Sequence, residues 1–179
     1  ATYGAGPNYI VVKNLGRGSD FSQLEESAAL KKAVALGGHV TTLPQLSVLF
    51  DGYRQFYGRH DDTATSQNFI RQRLLQGDTT ILVYEQAGEL QGFTQLYPLF
   101  SSVGAAPVWL LNDLYVAEHA RRCGAGRALL QAAASVAAAQ GVVRLDLVTA
   151  VDNAAAQALY ASMGWQRDVT FRRYQLALN

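Results

Sequence analysis

The sequence predicts a single mixed α/β (α+β) fold, and three observations support that class. Hydrophobic residues make up 49% of the 179 residues and charged residues 16%, which suits one packed core. Segments with apolar residues at helical spacing are interleaved with short segments rich in β-branched residues. From residue 38 onward these segments follow the order β-α-α-β-β-β-α-β-α-β, with no internal repeat and no interdomain linker.

The chain divides at residue 38. Residues 1–37 are left unassigned, as an N-terminal extension or an expression leader, and residues 38–179 are predicted to form the single domain. Within the first segment, residues 9–13 have the composition of a short strand, and residues 22–36 favour a helix that ends at Gly37.

Two helices are predicted early in the domain. The first begins near Thr42, a candidate N-cap, and ends before Gly58. Its apolar face is built from residues at helical spacing: Leu46, Leu49, Phe50, Tyr53 and Tyr57. The second helix runs from about Thr63 to Leu75 and ends at Gly77.

The remaining elements are mostly strands. They are predicted at residues 39–42, 79–84, 92–97, 107–116, 142–149 and 169–178. A hairpin turn is expected at 86–91, which contains Gly88. A long helix at 125–140 ends at Gly141, and a short helix capped by Asp152 or Asn153 ends at Gly164.

Composition argues against several function classes. The net charge is +1 and basic residues occur in short pairs, so no nucleic-acid partner is expected. The one cysteine is Cys123 and the three histidines are far apart in sequence, which predicts no disulfide and no metal. No apolar run has the length of a membrane span and no secretion signal is visible, so a cytoplasmic protein without a membrane partner is expected.

The most informative segment joins the strand at 107–116 to the long helix. It presents Arg121-x-x-Gly124-x-Gly126 at the start of that helix. Glycines let the backbone approach a ligand, and the unpaired N–H groups and dipole of a helix N-terminus favour a negative charge. Arg122 and Arg127 add positive charge, so the segment predicts a site for a diphosphate or a phosphate.

This segment resembles the acetyl-CoA motif of the GNAT superfamily of N-acetyltransferases, through Leu114-Tyr115-Val116 and the run from Arg121 to Gly126. The resemblance implies a largely antiparallel sheet that splays at its central parallel pair and is flanked by helices. It also implies acetyl-CoA as co-substrate. The implied cofactor-binding residues are Leu114, Tyr115, Val116, Arg121, Arg122, Cys123, Gly124, Ala125, Gly126, Arg127, Asn153 and Ala156.

A second match to the same superfamily lies in the short helix. The run from Asn153 through Ala156 and Tyr160 to Gly164-Trp165 resembles the family segment, with Trp in place of Phe. In similar enzymes this tyrosine protonates the departing thiolate, which makes Tyr160 a candidate catalytic residue. The alternative for Tyr160 is a buried tyrosine with one hydrogen bond.

A dinucleotide-binding fold is the rival explanation of the glycines at 124 and 126. The third glycine of that fingerprint is absent, because Leu129 stands in its place. Asp146 has the spacing of a ribose-binding acid but sits inside the alternation of a strand. We therefore reject the dinucleotide fold.

The acceptor side is predicted from the strand that precedes the loop. Residues 109–116 resemble the GNAT branch that contains yeast histone-and-polyamine acetyltransferases and bacterial acetyltransferases. Asn112 stands where the polyamine enzymes have Glu, so Asp113 is the candidate base, water-positioner or ammonium anchor. Alternation puts Asn112 and Asp113 on opposite faces of the strand unless a bulge intervenes. A purely structural role for Asp113 is the alternative.

The predicted function is transfer of acetyl from acetyl-CoA to a primary amine of a small molecule, polyamine-like or amino-acid-like. The candidate acceptor-binding residues are Tyr53, Arg54, Tyr57 and Tyr97, with Asp51, Asp61 and Asp62 suited to a cationic substrate. The alternative function is a catalytically silent CoA-binding sensor or interaction domain. Analogy with similar proteins leaves a homodimer open.

Overall fold

The protein is described here from a computed structural model, which covers residues 8–12 and 43–178. The described residues fall into two units, one up to Val148 and one from Thr149 onward. The predicted helix at 22–36 and the predicted strand at 39–42 lie outside the described residues.

The first unit is built on one sheet of five strands in the order β1-β2-β3-β4-β5. The strands are β1 Asn8–Val12, β2 Thr80–Gln86, β3 Glu89–Ser101, β4 Ala106–Val116 and β5 Arg144–Leu147. Neighbouring strands pair antiparallel except β4 and β5, which are parallel. The predicted mixed, largely antiparallel sheet is confirmed, and residues 9–12 of the strand-like run lie in β1.

Hydrogen bonding between β4 and β5 covers only part of β4. The last pair of the parallel ladder joins Leu111 to Leu147, whereas β4 continues to Val116. β5 is shorter than the strand predicted at 142–149, although the N–H of Val143 still donates to the carbonyl oxygen of Pro107 at 3.0 Å. Beyond Leu111, one edge of β4 therefore runs on without β5 as its neighbour.

Helices cover both faces of this sheet. The first unit contains α1 Leu43–Phe56, α2 Thr63–Gln76, a 3-10 turn at Glu118–Ala120 and α3 Ala125–Ala139. Phe93 on β3 packs its ring against Phe50 and Tyr53 of α1, while its neighbour Gly92 lies against Leu129 of α3. Successive strand residues point to opposite faces, so α1 and α3 lie on opposite sides of β3.

Several turn and cap predictions are confirmed. Gly77 ends α2 in a left-handed conformation with φ of 64°, and its N–H donates to the carbonyl oxygen of Arg73. The hairpin between β2 and β3 is tighter than predicted, with only Ala87 and Gly88 between the strands. Both have positive φ, at 54° and 84°, which matches the twist of the flanking strands.

The second unit contains the helix α4, Ala154–Ser162. Its cap is Asn153, whose Oδ1 accepts a hydrogen bond from the N–H of Ala156 at 3.2 Å, so the choice between Asp152 and Asn153 falls to Asn153. The strand predicted at residues 169–178 is wrong, since these residues have no regular secondary structure. Alternation of apolar and polar residues indicates which side chains would share a face, but a strand also needs a neighbour to which it can hydrogen bond. The described part of this unit contains no other strand.

Gly92 is required by the packing around β4. A Cβ added at Gly92 would stand 2.8 Å from the carbonyl oxygen of Tyr115 and 3.3 Å from side-chain atoms of Leu129 and Val116. Backbone cannot move aside as the tip of a flexible side chain can. The small residue therefore lets β3, β4 and α3 approach one another at the end of β4.

We expect Gly92→Ala to lower the free energy of unfolding by about 1–3 kcal/mol, because the new methyl group must displace backbone. Urea unfolding followed by circular dichroism measures this loss. Gly104→Ala is the matched control, because its Cβ would meet only the side chain of Ser101, with the hydroxyl oxygen at 3.1 Å, in an exposed turn. Equal losses in the two variants would contradict the packing argument.

Candidate active site

The chain has a β-bulge in the middle of β4. In the ladder between β3 and β4, Asp113 pairs with Gln95 and Leu111 pairs with Leu96, so Asn112 is the extra residue. The sequence predicted opposite faces for Asn112 and Asp113 unless a bulge intervened, and the structure contains that bulge. Asn112 is exposed, Asp113 is buried, and the Nδ2 of Asn112 donates to the Oδ1 of Asp113 at 3.1 Å.

Asp113 is a buried carboxyl group with polar neighbours. Its side chain is on the same face as α1, and it accepts hydrogen bonds from Tyr53 and Asn112. Burial raises the pKa of Asp113 above its ordinary value, and these two hydrogen bonds only partly oppose that rise. A carboxyl with a raised pKa is suited to accept a proton from a substrate near neutral pH.

Gln95 and Tyr97 of β3 lie beside this carboxyl group. Gln95 is the cross-strand partner of Asp113 and has no exposed surface. Its Nε2 donates to the hydroxyl oxygen of Tyr97 at 2.9 Å. Burial, together with the negative charge of Asp113, raises the pKa of Tyr97 to about 12, so its hydroxyl keeps its proton at neutral pH.

The predicted acceptor residues on α1 separate into two groups. Tyr53 reaches Asp113, and its ring also contacts Tyr57 and Tyr115 edge-on at 5.2 and 6.5 Å between centroids. Arg54 is held elsewhere, because its Nη1 donates to Asp51 at 3.1 Å and to the hydroxyl of Ser66 at 2.9 Å. The structure thus brings Tyr53 and Tyr97 to Asp113 and ties Arg54 into a different network.

That network fastens α1 to α2. Asp51, only 2% exposed, accepts hydrogen bonds from Ser66 at 2.7 Å, from Gln55 at 2.7 Å and from the N–H of Asp62 at 3.2 Å. Burial acts to raise the pKa of Asp51, but these hydrogen bonds outweigh it and hold the pKa below its ordinary value. Asp62 is the N-cap of α2. The structure therefore gives Asp51 and Asp62 structural partners, while Asp61 is exposed and contacts Thr63.

The segment between β4 and α3 leads into a helix start that has no side-chain cap. Arg122 and Gly124 both have left-handed backbone conformations, with φ of 66° and 87°, and turn the chain into α3. Gly124 is the N-cap of α3 and supplies no side-chain hydrogen bond to it. The N–H groups of Ala125 and Gly126 therefore lack an acceptor within the helix, which suits an anionic ligand, and the side chain of Arg127 is exposed in the same turn.

Arg121 connects this loop to the rest of the first unit. Its Nε donates to the carbonyl oxygen of Val116 at 3.2 Å, and its guanidinium lies 5.9 Å from the ring centroids of both Phe56 and Tyr115. Cys123 is an exposed free thiol whose Sγ lies 3.6 Å from the carbonyl oxygen of Arg121. A phosphate contact by Arg121 would thus come from a guanidinium already held against two rings.

Tyr160 lies on α4 in the second unit, one turn after Ala156. Its ring is 6.0 Å from that of Trp165, and its carbonyl oxygen accepts from the N–H of Trp165 at 3.1 Å. The helix is fixed at its start by the Asn153 cap and by Gln157, whose Nε2 donates to two carbonyl oxygens in the preceding turn. The local structure therefore holds Tyr160 on a short, capped helix.

Comparisons with known proteins identify the family. The acetyltransferase (GNAT) family profile matches residues 46–165. The uncharacterized N-acetyltransferase YhfO of Bacillus subtilis (strain 168) is 42% identical over 131 residues, which cover 73% of this chain and 88% of the relative. The chain belongs to the GNAT acetyltransferase family.

Solved structures agree with that assignment. The crystal structure of a probable acetyltransferase is 41% identical, with a TM-score of 0.72 over 76% of this chain and 92% of its own. The ribosomal-protein-alanine N-acetyltransferase from Brucella melitensis biovar Abortus 2308 is 20% identical, with a TM-score of 0.63 over 76% and 93% of the two chains. At that identity the second likeness shows the fold alone.

This GNAT protein is an acyltransferase, and acetyl transfer to an amine is general in its family. The residues present fit acetyl-CoA, the usual co-substrate of the family. The edge of β4 after Leu111 and the uncapped start of α3 both offer backbone N–H groups. The first unit has one parallel strand pair in an antiparallel sheet, which differs from a dinucleotide fold. Asp146, the candidate ribose ligand of that fold, is paired with Arg144 at 2.7 Å.

Neither a metal-binding cluster nor a membrane-spanning helix is found among the described residues. Across residues 8–12 and 43–178, no three His, Cys, Asp or Glu side chains come together as a metal ion requires. Over the same ranges, every helix is too short or too polar to cross a membrane.

The sequence prediction missed Gln95 as a site residue. The signal was available, because Phe93, Gln95 and Tyr97 alternate on one face of a strand and a polar residue among apolar ones on a buried face is informative. The bulge that aligns Gln95 with Asp113 left no signal in the sequence.

We expect the buried charge of Asp113 to reduce the stability of this GNAT domain at neutral pH. Because folding raises the pKa of Asp113, the folded state holds its proton more tightly than the unfolded chain does. The contribution of Asp113 to stability is then greatest below the ordinary pKa of 3.8, and it is lost as the pH rises through the raised value. Asp113→Asn removes the charge, so its Tm at neutral pH should equal or exceed that of the wild type.

Melting curves between about pH 4 and about pH 8 test this expectation, since that range spans the titration of a carboxyl with a raised pKa. The exposed Asp152, changed to Asn, is the control and should follow the wild type at every pH. An Asp113→Asn variant that melts lower by the same amount throughout would show that the hydrogen bonds of the carboxylate outweigh its charge.

Proposed function

We propose that the protein transfers acetyl from acetyl-CoA directly to a primary amine of a small molecule, polyamine-like or amino-acid-like. The observation that carries this proposal is Asp113, a buried carboxyl group at a bulge of β4. It lies near the start of the stretch of β4 that extends beyond β5. A proton acceptor and a free backbone edge are thus adjacent in one strand.

The ligand-binding roles follow from the backbone. The backbone groups of residues 114–116 that point away from β3 would bind the pantetheine arm as a further strand would. The first turn of α3, with Gly124 and Gly126 at its start, would bind the pyrophosphate, and Arg122 and Arg127 would balance its charge. The first role uses the edge of β4 beyond β5, and the second uses a helix start that has no side-chain cap.

The acceptor amine is protonated near neutral pH and must lose a proton before it can attack. Asp113 is placed to take that proton, either directly or through a water held with Asn112. Acetyl-CoA supplies the acetyl group as a reactive thioester. The amine nitrogen loses a second proton as the amide bond forms, and the carbon–sulfur bond breaks.

The departing thiolate needs one of those protons. Tyr160 is the proposed donor, because it occupies the position of the family tyrosine and lies on a capped helix one turn after Ala156. Of the two protons that leave the amine, one replaces the proton given up by Tyr160 and the other goes to solvent. The products are the acetylated amine and CoA with a free thiol.

Calorimetric titration of acetyl-CoA, followed by a free-thiol assay with a panel of primary amines, tests the proposal. Binding with amine-dependent thiol release supports it, and binding without release favours the sensor. The variant Gly126→Val should weaken binding about tenfold or more, since one good interaction with the diphosphate is worth about 1.4 kcal/mol. Gln131→Val, on the exposed face one turn later, is the control. Unchanged affinity in Gly126→Val would exclude this loop.

We expect Tyr160→Phe to lower kcat by about 10²-fold while leaving the KM for acetyl-CoA nearly unchanged, because its proton is needed only as the thiolate leaves. Steady-state kinetics with the best amine of the panel measures both constants. Tyr174→Phe, an exposed tyrosine of the same unit, is the matched control. A Tyr160→Phe variant with the kcat of the wild type would remove Tyr160 from the mechanism.

A further inference from the structure

Gln95 is the most unusual polar side chain of the first unit. It is fully buried, and its Oε1 has no hydrogen-bond partner among the described residues. A buried polar atom without a partner is costly, and native proteins pair nearly all of them. Its location, across the β3–β4 ladder from Asp113, is inside the candidate acceptor site rather than at a remote point of the core.

The groups around Gln95 are rich in hydrogen-bond acceptors. Cross-strand partners have Cβ atoms about 4.5–5.5 Å apart, so the amide of Gln95 and the carboxylate of Asp113 are neighbours on one face of the sheet. Nε2 of Gln95 already donates to the hydroxyl oxygen of Tyr97. The amide oxygen is therefore the polar atom of this side chain that has no hydrogen-bond partner. An amide oxygen and a carboxylate side by side call for a partner with several N–H donors.

A primary ammonium group fits this requirement. It carries one positive charge and three N–H donors on a single nitrogen, so it can donate to Gln95 and Asp113 together. The ring of Tyr53 adds an aromatic surface, since Tyr53 donates to Asp113 and packs against Phe93. A quaternary ammonium brings the charge without any N–H and would leave Oε1 of Gln95 unpaired.

We propose that Oε1 of Gln95 and the carboxylate of Asp113 together hold the ammonium group of the acceptor, which makes Gln95 a specificity-determining residue for primary amines. The inference rests on the proposed function in one respect: the contact would serve to orient the nitrogen that is acetylated. Its physical content, a binding site for a primary ammonium, does not depend on turnover.

A structural role for Gln95 is the competing explanation. The bond from Gln95 to Tyr97 would serve to fix the Tyr97 ring, and replacing Gln95 would then change stability alone. Three variants separate the two explanations. Gln95→Met keeps the shape and removes both polar atoms, and Gln95→Glu keeps an oxygen in place. Thr79→Val removes another buried polar group, directly before β2, whose hydroxyl donates to the carbonyl oxygen of Leu96 at 2.8 Å.

The experiment is calorimetric titration of two primary amines, 1,4-diaminobutane and glycinamide, into the full chain saturated with CoA. Tetramethylammonium chloride at equal ionic strength is the control ligand. We expect at least one primary amine to bind the wild type, and to bind it more tightly than tetramethylammonium. For that amine the Kd should rise about tenfold or more in Gln95→Met, as expected for a charged hydrogen bond worth at least 1.4 kcal/mol. In Gln95→Glu it should stay within about threefold, because an oxygen acceptor remains.

Thr79→Val should leave the Kd of the amine unchanged while lowering the Tm. Unchanged amine binding in Gln95→Met would overturn the inference, as would loss of binding in both Gln95 variants or equal binding of tetramethylammonium by the wild type. The proposed function fails separately, if the wild type does not bind acetyl-CoA or releases no thiol with any amine. With an active enzyme, Gln95→Met should raise the KM of the amine and leave the KM of acetyl-CoA unchanged.

Discussion

The partial pairing of β4 is the constraint on which the rest of the site depends. β4 is held along its length by β3 on one side but shares only its first part with β5. Just beyond the last pair, the extra residue Asn112 shifts the register and turns Asp113 into the interior. A regular strand paired on both edges would have used its backbone groups for the sheet. The bulge and the end of the ladder together produce an open strand edge next to a buried carboxyl group.

The burial of Asp113 makes its carboxylate a better base and at the same time reduces the stability of the sheet. The packing of α1 on β3 and β4 removes water from Asp113 and from Gln95, and Tyr53 takes part in both the aromatic core and the hydrogen bonding of the carboxylate. Desolvation that makes Asp113 a better base also makes its charged form costly. Buried polar groups that are poorly compensated are often retained where function requires them, and this corner of the sheet has two of them within one cross-strand pair.

The sequence predicted features that are fixed by local chemistry and missed features that depend on distant neighbours. Gly77, the Asn153 cap and the glycine at the start of α3 were predictable because caps and turns involve only a few consecutive residues. The superfamily was predictable because its motif is also local. The bulge at Asn112 was not, since a register shift exists only relative to β3. Residues 169–178 have a strand pattern without forming a strand, which shows that alternation alone supplies no neighbour.

The network of Asp51, Ser66 and Asp62 has a consequence for how such enzymes diverge. These residues fasten α1 to α2 through contacts that do not involve the side chains near Asp113. Tyr57, which directly follows α1 and is half exposed, can therefore change while the helix stays anchored by this network. Substitutions at this exposed position would alter the range of acceptors at little cost to folding. A chain with this anchor can acquire a new substrate by small mutational steps, without first rebuilding its scaffold.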